Sequence, residues 1–142
     1  ALSAFVHEMS VRVTYADTDK GGVVYYANYL KYFEMGRAEY VRSLGKSYAD
    51  MEAEGALFTV SEASCRYRAP ARYDELITIH TWVSRLRPTR INFRYRVTGP
   101  SGKTLVEGET VLACLDASGR PQPLPACLSE AIRERVVETP EA

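Results

Sequence analysis

The sequence predicts an α+β fold in which a curved antiparallel sheet of about five strands wraps one long central helix. Two observations carry this expectation. Apolar residues at helical spacing run from about Tyr26 to Leu44, and four strand-like segments then follow in succession, divided by turn formers. The chain of 142 residues fits one domain over 1–142, since folded units usually hold roughly 100–200 residues.

The first strand is Met9-Ser10-Val11-Arg12-Val13-Thr14-Tyr15, where apolar and polar residues alternate. The turn formers from Ala16 to Gly22 read as a loop. In the long helix, Leu30, Phe33, Arg37, Tyr40, Val41 and Leu44 lie near one face with Tyr29 and Tyr32 beside it, and Gly45 is the stop. Gly36 costs about 1 kcal/mol against Ala in mid-helix, which points to close approach by another backbone. Aromatic residues beyond one face need cover on several sides, from the sheet and from a second subunit. A short helix then opens at Ser47, with Asp50 three residues on, and closes at Gly55. Strands are expected at about 57–69, 75–87, 90–98 and 103–115. The turns at Pro88-Thr89 and Gly99-Pro100-Ser101-Gly102 make the last three an antiparallel meander. After Asp116-Ala117-Ser118-Gly119, a last helix covers about 128–138.

Composition removes several function classes. Eighteen basic and 18 acidic residues give zero net charge, so polyanions feel no general attraction. The histidines are His7 and His80 and the cysteines Cys65, Cys114 and Cys127, with no CxxC pair and no HExxH, so no metal site is expected. Three widely spaced thiols read as reduced, as in the cytoplasm. The chain shows neither a signal-peptide pattern nor the run of about 20 apolar residues that a transmembrane segment needs.

The segment from Tyr15 to Tyr29 is the most informative for chemistry. It places Asp17 and Asp19 in a strand-to-helix loop just before a helix N-terminus. Free N–H groups at such an end receive negative charge developing on a substrate oxygen, and a nearby carboxylate activates water or attacks directly. A purely structural reading stands beside this: Asp in a turn caps its own backbone, and Gly21-Gly22 permits unusual dihedrals. An EF-hand register from Asp17 fails, because Asn28 rather than Glu falls at its twelfth position. Gly45-Lys46-Ser47 imitates the end of a phosphate-binding loop, but Tyr40 stands where that loop requires Gly.

Arg12-Val13, Asp17-Thr18-Asp19, Gly22, Val23-Val24-Tyr25-Tyr26 and Tyr29 together resemble the signature of the 4-hydroxybenzoyl-CoA thioesterase family, and most of all its branch of Tol–Pal-associated acyl-CoA thioesterases. Arg68-Ala69-Pro70-Ala71-Arg72-Tyr73-Asp74-Glu75 and Leu86-Arg87-Pro88-Thr89 extend the likeness, which spans about residues 10–116. The resemblance implies a hotdog fold, a homodimer or homotetramer with active sites at the subunit interface, and hydrolysis of an acyl-CoA to free acid and CoA. It places the catalytic carboxylate on Asp19, as nucleophile or general base, and the carbonyl-polarising N–H on Tyr26. The Tol–Pal branch usually carries His where this chain has Tyr26, whereas the hydroxybenzoyl type carries Tyr. Histidine is dispensable on chemical grounds: a thiol with a pKa near roughly 8.5 leaves as thiolate and needs little acid help. No metal or redox cofactor is implied, CoA being part of the substrate.

Tyr25, Tyr29 and Phe33 are candidates to shape the acyl pocket, and Arg87 and Arg90 to grip CoA phosphates. Asp17 is read as a turn cap. Arg94 and Arg96, interleaved with Phe93 and Tyr95, suit either a nucleic-acid stacking platform or the solvated face of a strand; zero net charge favours the second. Glu34 and Glu62 read as exposed or ion-paired, His80 as structural, and Cys65 and Cys114 as core residues. A non-catalytic acyl-binding or interaction module on the same fold is the alternative function.

Overall fold

A computed structural model describes residues 5–137. Its elements are β1 (His7–Arg12), a single 3-10 turn (Tyr15–Asp17), α1 (Asn28–Ser43), α2 (Tyr48–Ala53), β2 (Leu57–Tyr67), β3 (Leu76–Leu86), β4 (Arg90–Thr98), β5 (Thr104–Leu115) and α3 (Ala126–Arg133). The five strands form one antiparallel sheet in the order β1-β3-β4-β5-β2. The expected meander of β3, β4 and β5 is present, and β1 and β2 add to its two sides. Among the described residues, no helix is long and apolar enough to cross a membrane.

Alternation along the strands turns Ile77, Ile79, Thr81 and Val83 of β3, and Ile91, Phe93, Tyr95 and Val97 of β4, into the core beneath α1. The Phe33 ring lies flat on Tyr95, with centroids 4.3 Å apart and planes 6° from parallel. Tyr40 meets Phe93 edge-on about two helical turns further along, at 5.7 Å. A side chain at Gly108 of β5 would occupy the space of the Phe33 ring, since its Cβ would stand 2.3 Å from Cε2 and 2.8 Å from the Ser64 carbonyl oxygen. This missing side chain lets the helix settle into the sheet.

The structure corrects several expectations. β1 ends at Arg12, and Tyr15 opens the 3-10 turn instead of closing the strand, because the Thr14 and Tyr15 carbonyls accept from Asp17 and Thr18 N–H. α1 starts at Asn28, and Leu30 is 42% exposed: the buried face centres on Tyr29, Tyr32, Phe33, Gly36 and Tyr40. Gly36 faces side chains, not backbone, since its Cβ would stand 2.4 Å from Thr81 Oγ1 and 2.9 Å from Ile79 Cγ2. α3 begins at Ala126, right after Pro125, and ends at Arg133, where the Arg135 N–H takes the Ile132 carbonyl. Position 138, the expected end of that helix, lies outside the described residues. The helix ends at Gly45 and Gly55 match expectation, both at positive φ, and Ser47 Oγ accepts from Asp50 N–H at 3.1 Å.

Gly108→Ala lowers stability by about 1–3 kcal/mol through overpacking against Phe33. A urea midpoint shifted down at unchanged slope checks this; an unshifted midpoint contradicts it.

Candidate active site

The loop between β1 and α1 lies at the end of the sheet where Arg12 pairs with Leu76 and β2 finishes at Tyr67. Its two limbs fold back on each other. Thr18 bridges Val24, Asp19 N–H donates to the Val23 carbonyl at 2.8 Å, and Tyr25 N–H donates to the Asp17 carbonyl at 2.9 Å. The tip is a tight turn in which Gly22 N–H donates to the Asp19 carbonyl at 3.0 Å, with Gly22 at a φ of 79° that favours glycine. Val24 N–H donates to the Ala71 carbonyl, fastening the second limb to the segment after β2.

The two carboxylates have opposite surroundings. Asp17 is 5% exposed, and its side chain accepts from Lys31 Nζ and, at 2.9 Å, from the Tyr32 hydroxyl, both in the first turn and a half of α1. Burial by itself raises the Asp17 carboxyl. The Lys31 and Tyr32 hydrogen bonds and the Lys31 charge outweigh it and hold the group below the usual carboxylate range. Burial, then the Asp17 hydrogen bond, pushes the Tyr32 hydroxyl up, so it remains the donor. Asn28 Nδ2 adds a bond to the Asp17 carbonyl at 2.9 Å. Asp17 is therefore an anchor between loop and helix, not the turn cap expected of it. The turn-capping contact belongs to Asp19: its Oδ1 accepts from Gly21 N–H at 2.8 Å on an exposed loop tip.

The second limb leads to Tyr26. The carbonyl of the Tyr25–Tyr26 peptide accepts from Asn28 N–H at 2.8 Å. In a trans peptide the N–H points opposite to the C=O, so the Tyr26 N–H is turned away from the helix, and none of the described residues accepts it. This N–H stands two residues before α1, in the turn leading into it. Tyr26 also lines a cleft of about 310 Å³, together with Val24, Tyr29, Tyr67, Arg68 and Pro70. Tyr25 and Tyr26 are exposed with rings 4.8 Å apart, whereas Tyr29 is buried and its hydroxyl oxygen accepts from Ala71 N–H at 3.1 Å.

Of the residues singled out in the sequence, Tyr25 and Tyr26 touch one another, Tyr26 and Tyr29 line the same cleft, and Asp19 stands at the loop tip against Gly21. Phe33 lies deeper, fully buried between α1 and the sheet. Arg87 and Arg90 flank the β3–β4 hairpin, at the opposite end of an eleven-residue strand. At about 3.3 Å per residue that separation is on the order of 30 Å within one chain. Arg87 Nη2 donates to Asn92 Oδ1 at 2.7 Å. Arg94 pairs with Glu109 at 3.5 Å and Arg96 lies over Trp82, the arrangement of a solvated strand face. His80 Nε2 meets Thr98 Oγ1 at 3.1 Å, and Glu34 is exposed. Burial pushes the Cys65 and Cys114 thiols up, away from nucleophilic thiolates. Among the described residues, no three His, Cys, Asp or Glu side chains gather where they could hold a metal. The anchoring roles of Asn28, Lys31 and Tyr32 were not apparent from sequence; polar side chains in the first turns of the helix, just after the two loop carboxylates, were the available signal.

The five-stranded antiparallel sheet with the long helix packed on it is a hotdog fold. The chain belongs to the thioesterase superfamily, whose family model matches residues 21–106. It is 37% identical over 116 residues to the acyl-CoA thioester hydrolase YbgC of Escherichia coli O157:H7, covering 81% of this chain and 87% of that one. It is 33% identical over 111 residues to the putative acyl-CoA thioesterase YneP of Bacillus subtilis, covering 78% and 80%. The solved DHNA-CoA thioesterase of Staphylococcus aureus superposes with a TM-score of 0.81 at 30% identity, over 91% of this chain and 85% of that one.

Because the folded Asp17 carboxyl is depressed, its stabilisation is full above the unfolded value near roughly pH 4 and is lost as pH falls through the folded one. Asp17→Asn therefore costs about 1–2 kcal/mol at neutral pH, the exposed Lys31 end being screened. Urea titrations of both proteins show the gap constant from pH 7 to about 5 and closing below about 4. A gap unchanged at acid pH contradicts the anchor.

Proposed function

We propose that the chain hydrolyses acyl-CoA thioesters, with Asp19 as the reacting carboxylate and the Tyr26 N–H as the oxyanion donor. The supporting observation is the Tyr25–Tyr26 peptide, whose carbonyl is tied back by Asn28 so that its N–H is left to a substrate oxygen. In the general-base route, Asp19 takes a proton from water as the water oxygen adds to the thioester carbon. The carbonyl oxygen gathers negative charge against the Tyr26 N–H. The C–S bond then breaks, the thiolate leaves, and acid and CoA are released. In the nucleophilic route, the Asp19 carboxylate itself adds to the thioester carbon, the C–S bond breaks as the CoA thiolate leaves, and water then opens the resulting anhydride to free acid and Asp19. Neither route requires a metal or redox cofactor. A preorganised donor of this kind is worth roughly 2.7–4 kcal/mol.

The working unit in this reading is a homodimer or larger. β2 is the last strand of the sheet, and most of its eleven residues are exposed on both faces. Val60 at 44% and Tyr67 at 50% exposure place apolar surface on this strand. Antiparallel pairing of β2 with its copy sets the Tyr67 end of one protomer beside the Leu57 end of the other. It also brings the partner's Pro88 hairpin, with its arginines, to the same end as the Asp19 loop. The acyl cleft would thus be closed by both chains, with Tyr25, Tyr26 and Tyr29 on its walls.

Thiol release is measured from short-chain, fatty and aromatic acyl-CoAs, with Asp19→Asn alongside. Wild type releases thiol from at least one class, and Asp19→Asn lowers kcat by on the order of 10²–10⁴. No release from any acyl-CoA supports the acyl-binding module instead, and a wild-type rate in the variant removes Asp19 from the chemistry. Sedimentation of wild type at micromolar concentration gives a dimer or tetramer; a monomer alone contradicts the shared cleft.

A further inference from the structure

Tyr67, the last residue of β2, lies 41 residues from Tyr26 in sequence, yet its hydroxyl donates to the Tyr26 carbonyl at 3.0 Å. That carbonyl belongs to the Tyr26–Ala27 peptide, one link beyond the peptide that carries the Tyr26 N–H. Asn28 N–H fixes the first of these peptides and Tyr67 the second. With a hydrogen bond on each flanking peptide, the φ and ψ of Tyr26 are restrained, and the direction of its N–H is held from either side. Helix bonding does not supply the second restraint. α1 begins at Asn28, and Leu30 N–H donates to Ala27, not to Tyr26.

The Tyr67 ring has a separate task. It stands edge-on to Tyr26 at 6.3 Å and to Tyr29 at 5.7 Å, and with both it lines the cleft of about 310 Å³. Ring and hydroxyl thus act on different things, the first on the shape of the cleft and the second on the backbone. Burial, then the neighbouring Cys65, pushes the hydroxyl up to about 12, so it donates throughout the neutral range.

We propose that Tyr67 is a positioning residue for thioester hydrolysis, its hydroxyl aligning the Tyr26 N–H with the developing oxyanion while its ring walls the acyl cleft. This rests on the thioesterase reading above. It assigns part of the site to the far end of β2, in the strand that also forms the sheet edge.

The test separates the two parts. Tyr67→Phe keeps the ring and loses the hydroxyl; Tyr67→Leu loses both. With an acyl-CoA that wild type hydrolyses, Tyr67→Phe lowers kcat about fivefold, the value of one lost neutral hydrogen bond, with KM and thermal midpoint unchanged. Tyr67→Leu adds a rise in KM. A Tyr67→Phe variant with wild-type kcat, or one whose only change is in KM or thermal midpoint, overturns the positioning role. Asp19→Asn measured in parallel keeps the two readings apart. If Asp19→Asn is inactive and Tyr67→Phe is wild type, only the positioning role fails; if wild type releases no thiol from any acyl-CoA, both fail.

Discussion

The seat of the central helix on the sheet depends on one contact, the Phe33 ring lying across Gly108 and flat against Tyr95. Burying such a ring is worth about 1.5–3 kcal/mol, with about 0.5–1.5 kcal/mol more for the aromatic pair. Its larger effect is positional. Protein interiors are close-packed, so the depth of one ring fixes the depth of the whole helix. With Phe33 seated, Tyr29 and Tyr32 of the preceding turn come to the end of the sheet where β1 stops. The loop that leaves β1 then finds two polar groups, Lys31 and Tyr32, within reach of Asp17.

From that point the loop divides its two carboxylates by environment. Asp17 faces inward, meets a cation and a hydroxyl, and carries structure. Asp19, two residues on, faces outward with a single local amide as partner. Neither arrangement requires a histidine, and the chain places neither of its two in this loop. Chemistry that releases a good leaving group tolerates so spare a set of groups, because a thiolate needs no proton to depart.

Much of the fold was legible in the sequence because it is written in local signals. Alternation marked β3 and β4, helical spacing marked α1, and Gly45, Gly55 and Gly102 marked chain reversals that sit at positive φ. The errors arose where tertiary context decides. Leu30 and Tyr29 are neighbours in sequence, and only the direction of packing says which is buried. Asp17 looked like a cap because caps are local, while its partners lie 14 and 15 residues away. Arg87 and Arg90 are a different case: they read only as candidates for CoA phosphates, and within one chain they lie at the far end of β3 from the loop. Placing them at the other end requires knowing that β1 pairs antiparallel with β3, and no local pattern states this. Of the site, the Asp-Thr-Asp and Tyr-Tyr segments were readable, and the atoms holding them still were not.

The outer edge of β2 has a further consequence, which concerns amounts rather than shapes. A row of strand amides can be satisfied by water or by another strand of the same sequence, and mass action chooses between them. In the proposed dimer, Tyr67 would belong to the pairing strand while touching the Tyr26 carbonyl, so the ordering of the Tyr26 backbone would be linked to how many copies of the chain share a given volume. Dilution would then act as an inhibitor without a binding site, and abundance in the cell would become a determinant of the rate per chain.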